Sequence, residues 1–217
     1  MPDPASVTGM RRSYARGRLE EADLAADWVT QFTRWFAEAV ASGRLSEPNA
    51  MVVATATPDG QPSLRTVLLR GVDERGFVFY TNQQSRKGDE LAADPRCALV
   101  FPWHVMERQV RVEGTADKVS TEEVEAYFHS RPRESQLGAW ASQQSQPVPS
   151  REELDLQYAS YDRQFPEGTE IPVPYFWGGY RVRPDLIELW QGRTGRLHDR
   201  LRYRRTGTTW TLERLQP

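Results

Sequence analysis

Over residues 23–42 the apolar positions Leu24, Trp28, Phe32, Trp35, Phe36 and Val40 recur three or four apart. That spacing puts them on one face of a helix, and Gly43 supplies a stop. The period then shortens. Residues 50–57, 63–70, 77–81, 97–103 and 109–116 form brief strand-like runs. Pro58-Asp59-Gly60-Gln61 separates the first two and Asp73-Glu74-Arg75-Gly76 the next pair, both turn signals. Closely spaced strands with polar turns predict an antiparallel barrel.

Helices are expected to interrupt this sheet. Residues 85–93 read as a short helix ended by Asp94-Pro95. Ser120 with Glu123 forms a capping-box pattern that opens a helix through His129, and Ser150 with Glu153 repeats it before 154–165. Pro132 ends or kinks the first of these just after Arg131. Strand-like runs return at 176–182, 186–190, 199–203 and 209–214, with Thr206-Gly207 as a turn. The expectation is a mainly β chain with added helices (α+β), one domain over 11–217, and a disordered tail over 1–10.

Composition narrows the function. With 38% hydrophobic and 27% charged residues the chain is that of an ordinary globular protein. No apolar run approaches the roughly 20 residues that span a bilayer, and MPDPASVTGMRR lacks the apolar core of a secretory signal, so a cytoplasmic location with no membrane partner is expected. The single cysteine, Cys97, excludes an intrachain disulfide and reads as a small core residue at a strand start. His104, His129 and His198 are far apart and no His-Glu-x-x-His pattern occurs, so no metal site is expected. A Rossmann glycine fingerprint is absent too. A net charge of −2 means that any anion site is local.

Several groups of residues suit such a site. Arg65 and Arg70 flank an apolar stretch; five apart in a strand, they face opposite ways or lie beyond its ends, and solvated edge charges are an equal alternative. Tyr80 and Thr81 precede Ser85-Arg86-Lys87, where helix-start amides and two cations suit a phosphate, although an exposed first turn explains them as well. Tyr127, Arg131 and Ser135 are spaced by four and offer a phenol, a guanidinium and a hydroxyl for a second phosphate, or a plain helix end. Gln109 and the loop Gln143-Gln144-Ser145-Gln146 bring amides suited to a heterocycle or to solvent.

The densest cluster runs from Trp190-Gln191-Gly192 through Arg196-Leu197-His198-Asp199-Arg200. If extended, it sends Arg196, His198 and Arg200 to one face. His198 and Asp199 then face apart, and no nucleophile-elbow serine is present, so a hydrolase triad is disfavoured. Arginines interleaved with Trp190, Tyr203 and Trp210 also allow a nucleic-acid-binding module, but the net charge is wrong for one and no nucleic-acid partner is expected.

The blocks FVFYTN (77–82), SRKG (85–88), FPW (101–103), RQV (108–110), YFHSRPRESQLGAWASQQS (127–145), FWGGYRV (176–182) and ELWQGRTGRLHDR (188–200), in this order, resemble the pyridoxine/pyridoxamine 5'-phosphate oxidase family. The resemblance extends over almost the whole chain. It implies an FMN-binding split β-barrel of antiparallel Greek-key type, acting as a homodimer with FMN at the interface. It implies oxidation of pyridoxamine 5'-phosphate and pyridoxine 5'-phosphate to pyridoxal 5'-phosphate, with O2 as acceptor and H2O2 released, in vitamin B6 biosynthesis or salvage.

The resemblance also implies roles. FMN would meet Arg65, Thr66, Val67, Leu68, Leu69, Arg70, Tyr80, Thr81, Arg86, Lys87, Gln109, Gln144, Ser145, Trp190 and Arg200. Substrate phosphate would meet Arg70, Tyr127, Arg131 and Ser135. Arg196 and His198 would lie over the reacting carbon as the catalytic pair, with Arg11 and Tyr14 closing as a lid. The family usually carries lysine where this chain has Arg70, which keeps the charge but changes reach and donor geometry. A split-barrel flavin or deazaflavin reductase or binding protein is the alternative, against which the intact WQG and RLHDR blocks argue.

Overall fold

The polar turns marked in the sequence are where the chain reverses in the computed structural model, which describes residues 9–10 and 13–217. Most of the expected tail, and Arg11 with it, lies outside these residues. Strand β1 (Ala50–Ala56) runs into β2 (Pro62–Leu68) in antiparallel register, Ala50 opposite Leu68. Gly60, at φ +88°, makes this turn, donating its N–H to the Thr57 carbonyl at 2.8 Å. Strand β3 (Gly71–Asp73) turns into β4 (Gly76–Asn82) in the same way. The sequence expectation had merged β2 with the residues up to Arg70; in the structure β2 stops at Leu68, and Arg70 stands outside it.

The chain folds as two units, one of residues Ala50–Leu99 and Glu113–Pro184, the other of residues up to Asn49 with Val100–Val112 and Asp185–Pro217. Strands β5 (Arg96–Trp103), β6 (Arg108–Lys118) and β7 (Trp177–Gln191) each contribute residues to both. Among the described residues the sheet has nine strands in the order β2-β1-β5-β6-β7-β4-β3, with β8 (Asp199–Thr206) on β7 and β9 (Thr209–Arg214) on β8. The runs expected at 176–182 and 186–190 are a single strand, β7. It pairs with β4 up to Val182 and with β8 from Leu186. Pro184 falls between those two ladders, where neither requires its missing N–H.

In the unit of residues 50–99 and 113–184, α2 (Arg86–Ala93) starts after Ser85 as expected. Helix α3 (Thr121–Ser130) carries the full capping box between Ser120 and Glu123. Ser150 forms only half of one at α5 (Arg151–Gln164), accepting from the Glu153 N–H at 3.1 Å. A further helix, α4 (Arg133–Ala141), was not expected. Pro132 ends α3 and also sits at the start of α4, where a fixed φ suits the first turn. Phe128, Leu137, Ala139 and Ile171 form a buried cluster with Trp140, Phe165 and Trp177 against it. Cys97 is buried at the start of β5, and burial pushes its thiol up to about 12.

In the other unit, α1 (Trp28–Ala41) begins later than expected. The Asp27 carboxylate accepts the Thr30 N–H at 2.8 Å and fixes the start, so Leu24 lies outside the helix. Val40, counted on the apolar face, is exposed. Trp28, Phe32, Trp35 and Ala39 are buried, and Phe32 packs on Phe101 with ring centres 5.0 Å apart. Burying each large ring contributes about 2–3 kcal/mol.

Gly76 is the tightest point of the β3–β4 turn. Its φ is +142°, and a Cβ there would overlap the Val182 carbonyl oxygen. Gly76→Ala is expected to lower the unfolding free energy by about 2–4 kcal/mol in urea titrations; a loss below about 0.5 kcal/mol would contradict this reading.

Candidate active site

A cavity of about 640 Å³ lies within the unit of residues 50–99 and 113–184, in the size range of small-molecule sites. Strand β2 brings Arg65, Thr66, Val67 and Leu68 to it, and Arg70 follows just past the strand end. That is how two arginines five apart reach one cavity. The end of β4 adds Tyr80 and Thr81, the first turn of α2 adds Lys87, and the loop after α4 adds Gln144 and Ser145. Tyr127 near the end of α3, Arg131 at its C-cap and Ser135 in the first turn of α4 also line it, whereas the expected Gln109, Trp190 and Arg200 do not.

Among the described residues four cations line this cavity, Arg65, Arg70, Lys87 and Arg131, and no carboxylate does. Lys87 is buried and donates to Thr81 Oγ1 (2.9 Å), Ser85 Oγ (3.1 Å) and Gln144 Oε1 (2.6 Å). Burial, with the Arg65 charge second, brings its pKa down to about 8. Arg131 lies 4.3 Å from the centre of the Trp177 ring. One of its guanidinium nitrogens is buried without a hydrogen-bond partner, and so is the Trp177 indole nitrogen. Burial, with Arg70 adding to it, lowers the Arg131 pKa. Tyr80 and Tyr127 stack with ring centres 3.9 Å apart, and the Arg70 guanidinium lies 5.7 Å from the Tyr127 ring.

A buried carboxylate behind the wall sets Arg65. Glu90 accepts hydrogen bonds from Ser63 (2.6 Å), Thr55 and Arg65 (3.2 Å) on one oxygen, and from Arg86 (2.8 Å) on the other. Burial pushes this carboxyl up, but the bonds from Ser63, Thr55, Arg86 and Arg65 outweigh it and hold it down to about 2. Arg86 is thus turned to Glu90 and does not line the cavity. Leu69 is buried and does not line it either. Sequence reasoning missed Glu90, and also Ser130, Pro132 and Trp177 in the wall. Glu90, three and four residues beyond Lys87 and Arg86 on one helix, was the one legible signal.

The other unit gathers a second cluster around Trp190. The His198 ring lies 4.6 Å from Trp190, and Tyr14 packs 5.8 Å from Trp190 and 5.7 Å from His198. The expected alternation over Arg196, His198 and Arg200 fails at its first member. Arg196 has φ +63°, in a 3-10 turn over Thr194–Arg196, and is exposed; β8 begins only at Asp199. His198 Nδ1 accepts the Arg193 N–H at 3.1 Å, which assigns the neutral ring's proton to Nε2. Burial, then Arg196, lowers the His198 pKa, with Asp199 opposing. Arg200 is held by Glu188 at 2.8 and 3.0 Å. Gln109 lies in β6, half-buried. The remaining arginines of this end pair with acids: Arg193 with Asp199, Arg202 and Arg204 with Glu213, Arg205 with Asp185. That pairing leaves little open charge for a nucleic-acid backbone.

A cationic cavity with no carboxylate among its described lining residues suits an anionic small molecule, and the fold is that of the split-barrel flavoproteins. A solved structure of PhzG from Burkholderia lata, in complex with tetrahydrophenazine-1-carboxylic acid, superposes with a TM-score of 0.87 at 32% identity, over 95% of this chain and all of that one. A pyridoxamine 5'-phosphate oxidase-related, FMN-binding protein from Nostoc punctiforme shares the fold at a TM-score of 0.69, with 19% identity over 90% of this chain and all of that one. Residues 36–164 match the family model for pyridoxamine 5'-phosphate oxidase, and 177–217 match that for the pyridoxine 5'-phosphate oxidase C-terminal dimerisation region.

The chain therefore belongs to the pyridoxamine 5'-phosphate oxidase family of flavin-dependent oxidoreductases. The pyridoxine/pyridoxamine 5'-phosphate oxidase of Rubrobacter xylanophilus is 60% identical over the whole of both chains. That of Frankia alni is 58% identical, over all of this chain and 90% of its own.

The unpartnered Arg131 nitrogen, and a wall that carries four cations and no carboxylate among the described residues, fit an anionic ligand. With its pKa brought down to about 8, Lys87 loses its positive charge as the pH rises through that range. Inorganic phosphate, already mostly dianion at pH 7.5 and wholly so at pH 9.5, is expected to bind roughly tenfold more weakly at pH 9.5 than at pH 7.5 by 31P NMR titration, and Lys87→Arg should flatten that dependence. A wild-type affinity independent of pH would contradict the assignment of Lys87.

Proposed function

We propose that the chain oxidises pyridoxamine 5'-phosphate and pyridoxine 5'-phosphate to pyridoxal 5'-phosphate, with FMN as cofactor and O2 as final acceptor. The products would be H2O2 and, from the amine, ammonia, released when water hydrolyses the imine that loss of hydride and a proton leaves. The observation that carries this reading is the division of the cavity's cations into two groups with no facing carboxylate. Lys87, beside Arg65, is bonded to Thr81 and Gln144, while Arg131 is grouped with Arg70, Tyr127 and Ser135. Two phosphates, one from FMN and one from substrate, match two such groups.

In this reading Arg65, Thr66, Val67, Leu68, Tyr80, Thr81, Lys87, Gln144 and Ser145 hold FMN, and the family resemblance assigns FMN contacts to Gln109, Trp190 and Arg200 as well. Arg70, Tyr127, Arg131 and Ser135 anchor the substrate phosphate. These anchors sit far from the reacting carbon, so their binding energy serves to orient the ring. Bound FMN supplies the two-electron acceptor that the protein's own side chains lack. His198, neutral and protonated on Nε2, offers a donor to the substrate, and Arg196 offers a fixed positive charge as the substrate gives up hydride. Tyr14 would close over the substrate as a lid; Arg11, assigned to the same lid, lies outside the described residues. Completing the proposal are a homodimer with FMN at its interface, one domain over 11–217, a cytoplasmic location and a place in vitamin B6 biosynthesis or salvage. Among the described residues no helix is long and apolar enough to cross a membrane.

PhzG supports a second reading, in which a tricyclic carboxylate replaces the phosphorylated pyridine. Arg131 and Arg70 favour the phosphate. An oxygen-electrode assay with FMN and each vitamer should show O2 consumption matched by peroxide; turnover of a tetrahydrophenazine carboxylate with neither vitamer consumed would favour the second reading. Arg196→Leu should lower turnover by at least about tenfold while FMN stays bound, read from its visible absorbance. Unchanged turnover would remove Arg196 from the catalytic pair.

A further inference from the structure

We infer that Glu107 is a positioning residue: its carboxylate docks the segment around Tyr14 and thereby sets the Tyr14 ring against His198 and Trp190. The inference rests on the proposed function in taking His198 as part of the site. Glu107 follows a 3-10 turn over His104–Met106 and has φ +55°, a left-handed conformation that a glutamate adopts at a cost. Its backbone and its side chain hold two different parts of one cluster.

The Glu107 carbonyl accepts the Gly192 N–H at 2.7 Å and the Gln191 side-chain amide at 3.2 Å, which fixes the turn after Trp190. Its carboxylate oxygen Oε2 accepts the N–H groups of Ala15 and Arg16, both at 2.9 Å, and the Arg16 guanidinium lies 3.7 Å from the other oxygen. Two adjacent backbone amides converging on one anion form a directed bond across about 90 residues of sequence. Tyr14 is the next residue back. Its ring lies over Gly192, where a Cβ would sit 2.8 Å from the Tyr14 ring.

The geometry therefore has one order: Glu107 holds residues 15 and 16, these hold Tyr14, and Tyr14 packs on His198. Among the described residues no other carboxylate accepts from those two amides. A residue with a merely structural role would affect folding and FMN retention; this one should affect the placement of Tyr14 and the handling of substrate.

The test uses the full-length holoenzyme with Glu107→Gly and Glu107→Gln. Glycine suits the left-handed backbone and keeps the carbonyl, so only the carboxylate is lost. Glutamine keeps an acceptor oxygen in place. Hydrogen exchange of the peptide containing residues 13–17 should accelerate by about tenfold in Glu107→Gly, and the KM for pyridoxamine 5'-phosphate should rise by about tenfold with FMN content unchanged. Glu107→Gln should recover most of both. Unchanged exchange would overturn the docking, and faster exchange with unchanged kcat and KM would overturn the positioning role. A wild-type enzyme without activity on either vitamer would overturn the proposed function instead, and exchange would still read the docking.

Discussion

The arrangement of this protein turns on positive charge held in a partly buried cavity with no carboxylate on its wall. A buried cation without a counter-charge is costly, and the cost appears here in the lowered pKa of both Lys87 and Arg131. Proteins that only need stability place acids beside such groups, as this chain does at Arg200, Arg202 and Arg214. Its cavity keeps the acids back. Glu90 reaches Arg65 from behind and fixes its direction without closing the site.

The fold explains how these groups stay in place. Arg65 sits on a regular strand, Lys87 in the first turn of a helix that Ser85 opens, and Arg131 at a C-cap made abrupt by Pro132. Each is carried by an element whose end is fixed by local chemistry, which holds sites better than free loops do. The stacked pair Tyr80 and Tyr127 joins the wall from β4 to that from α3. In the other unit the carboxylates sit forward: Glu107 accepts the Ala15 N–H and Glu188 holds Arg200.

Much of this was legible in the sequence because it depends on short-range bonds. The Ser120–Glu123 box, the Gly60 turn and the α2 start each involve residues within four positions of one another. The cavity wall was legible mostly through resemblance, since spacing alone left Arg65 and Arg70 ambiguous until β2 was seen to stop at Leu68. What was not legible depends on partners far along the chain. Arg86 turns to Glu90 instead of the cavity, β7 passes straight through Pro184, and Arg196 leaves the extended path that alternation assumed. The Glu107 bonds to Ala15 and Arg16 leave no trace in local pattern.

A wall carrying Arg65, Arg70, Lys87 and Arg131 should hold FMN by its phosphate as much as by its flavin ring. Equilibrium titration of the apoprotein with FMN and with riboflavin, which differ only in the phosphate, tests it directly. The account predicts FMN tighter by at least about a hundredfold, with the advantage shrinking as salt rises. Equal affinity for the two flavins would contradict it.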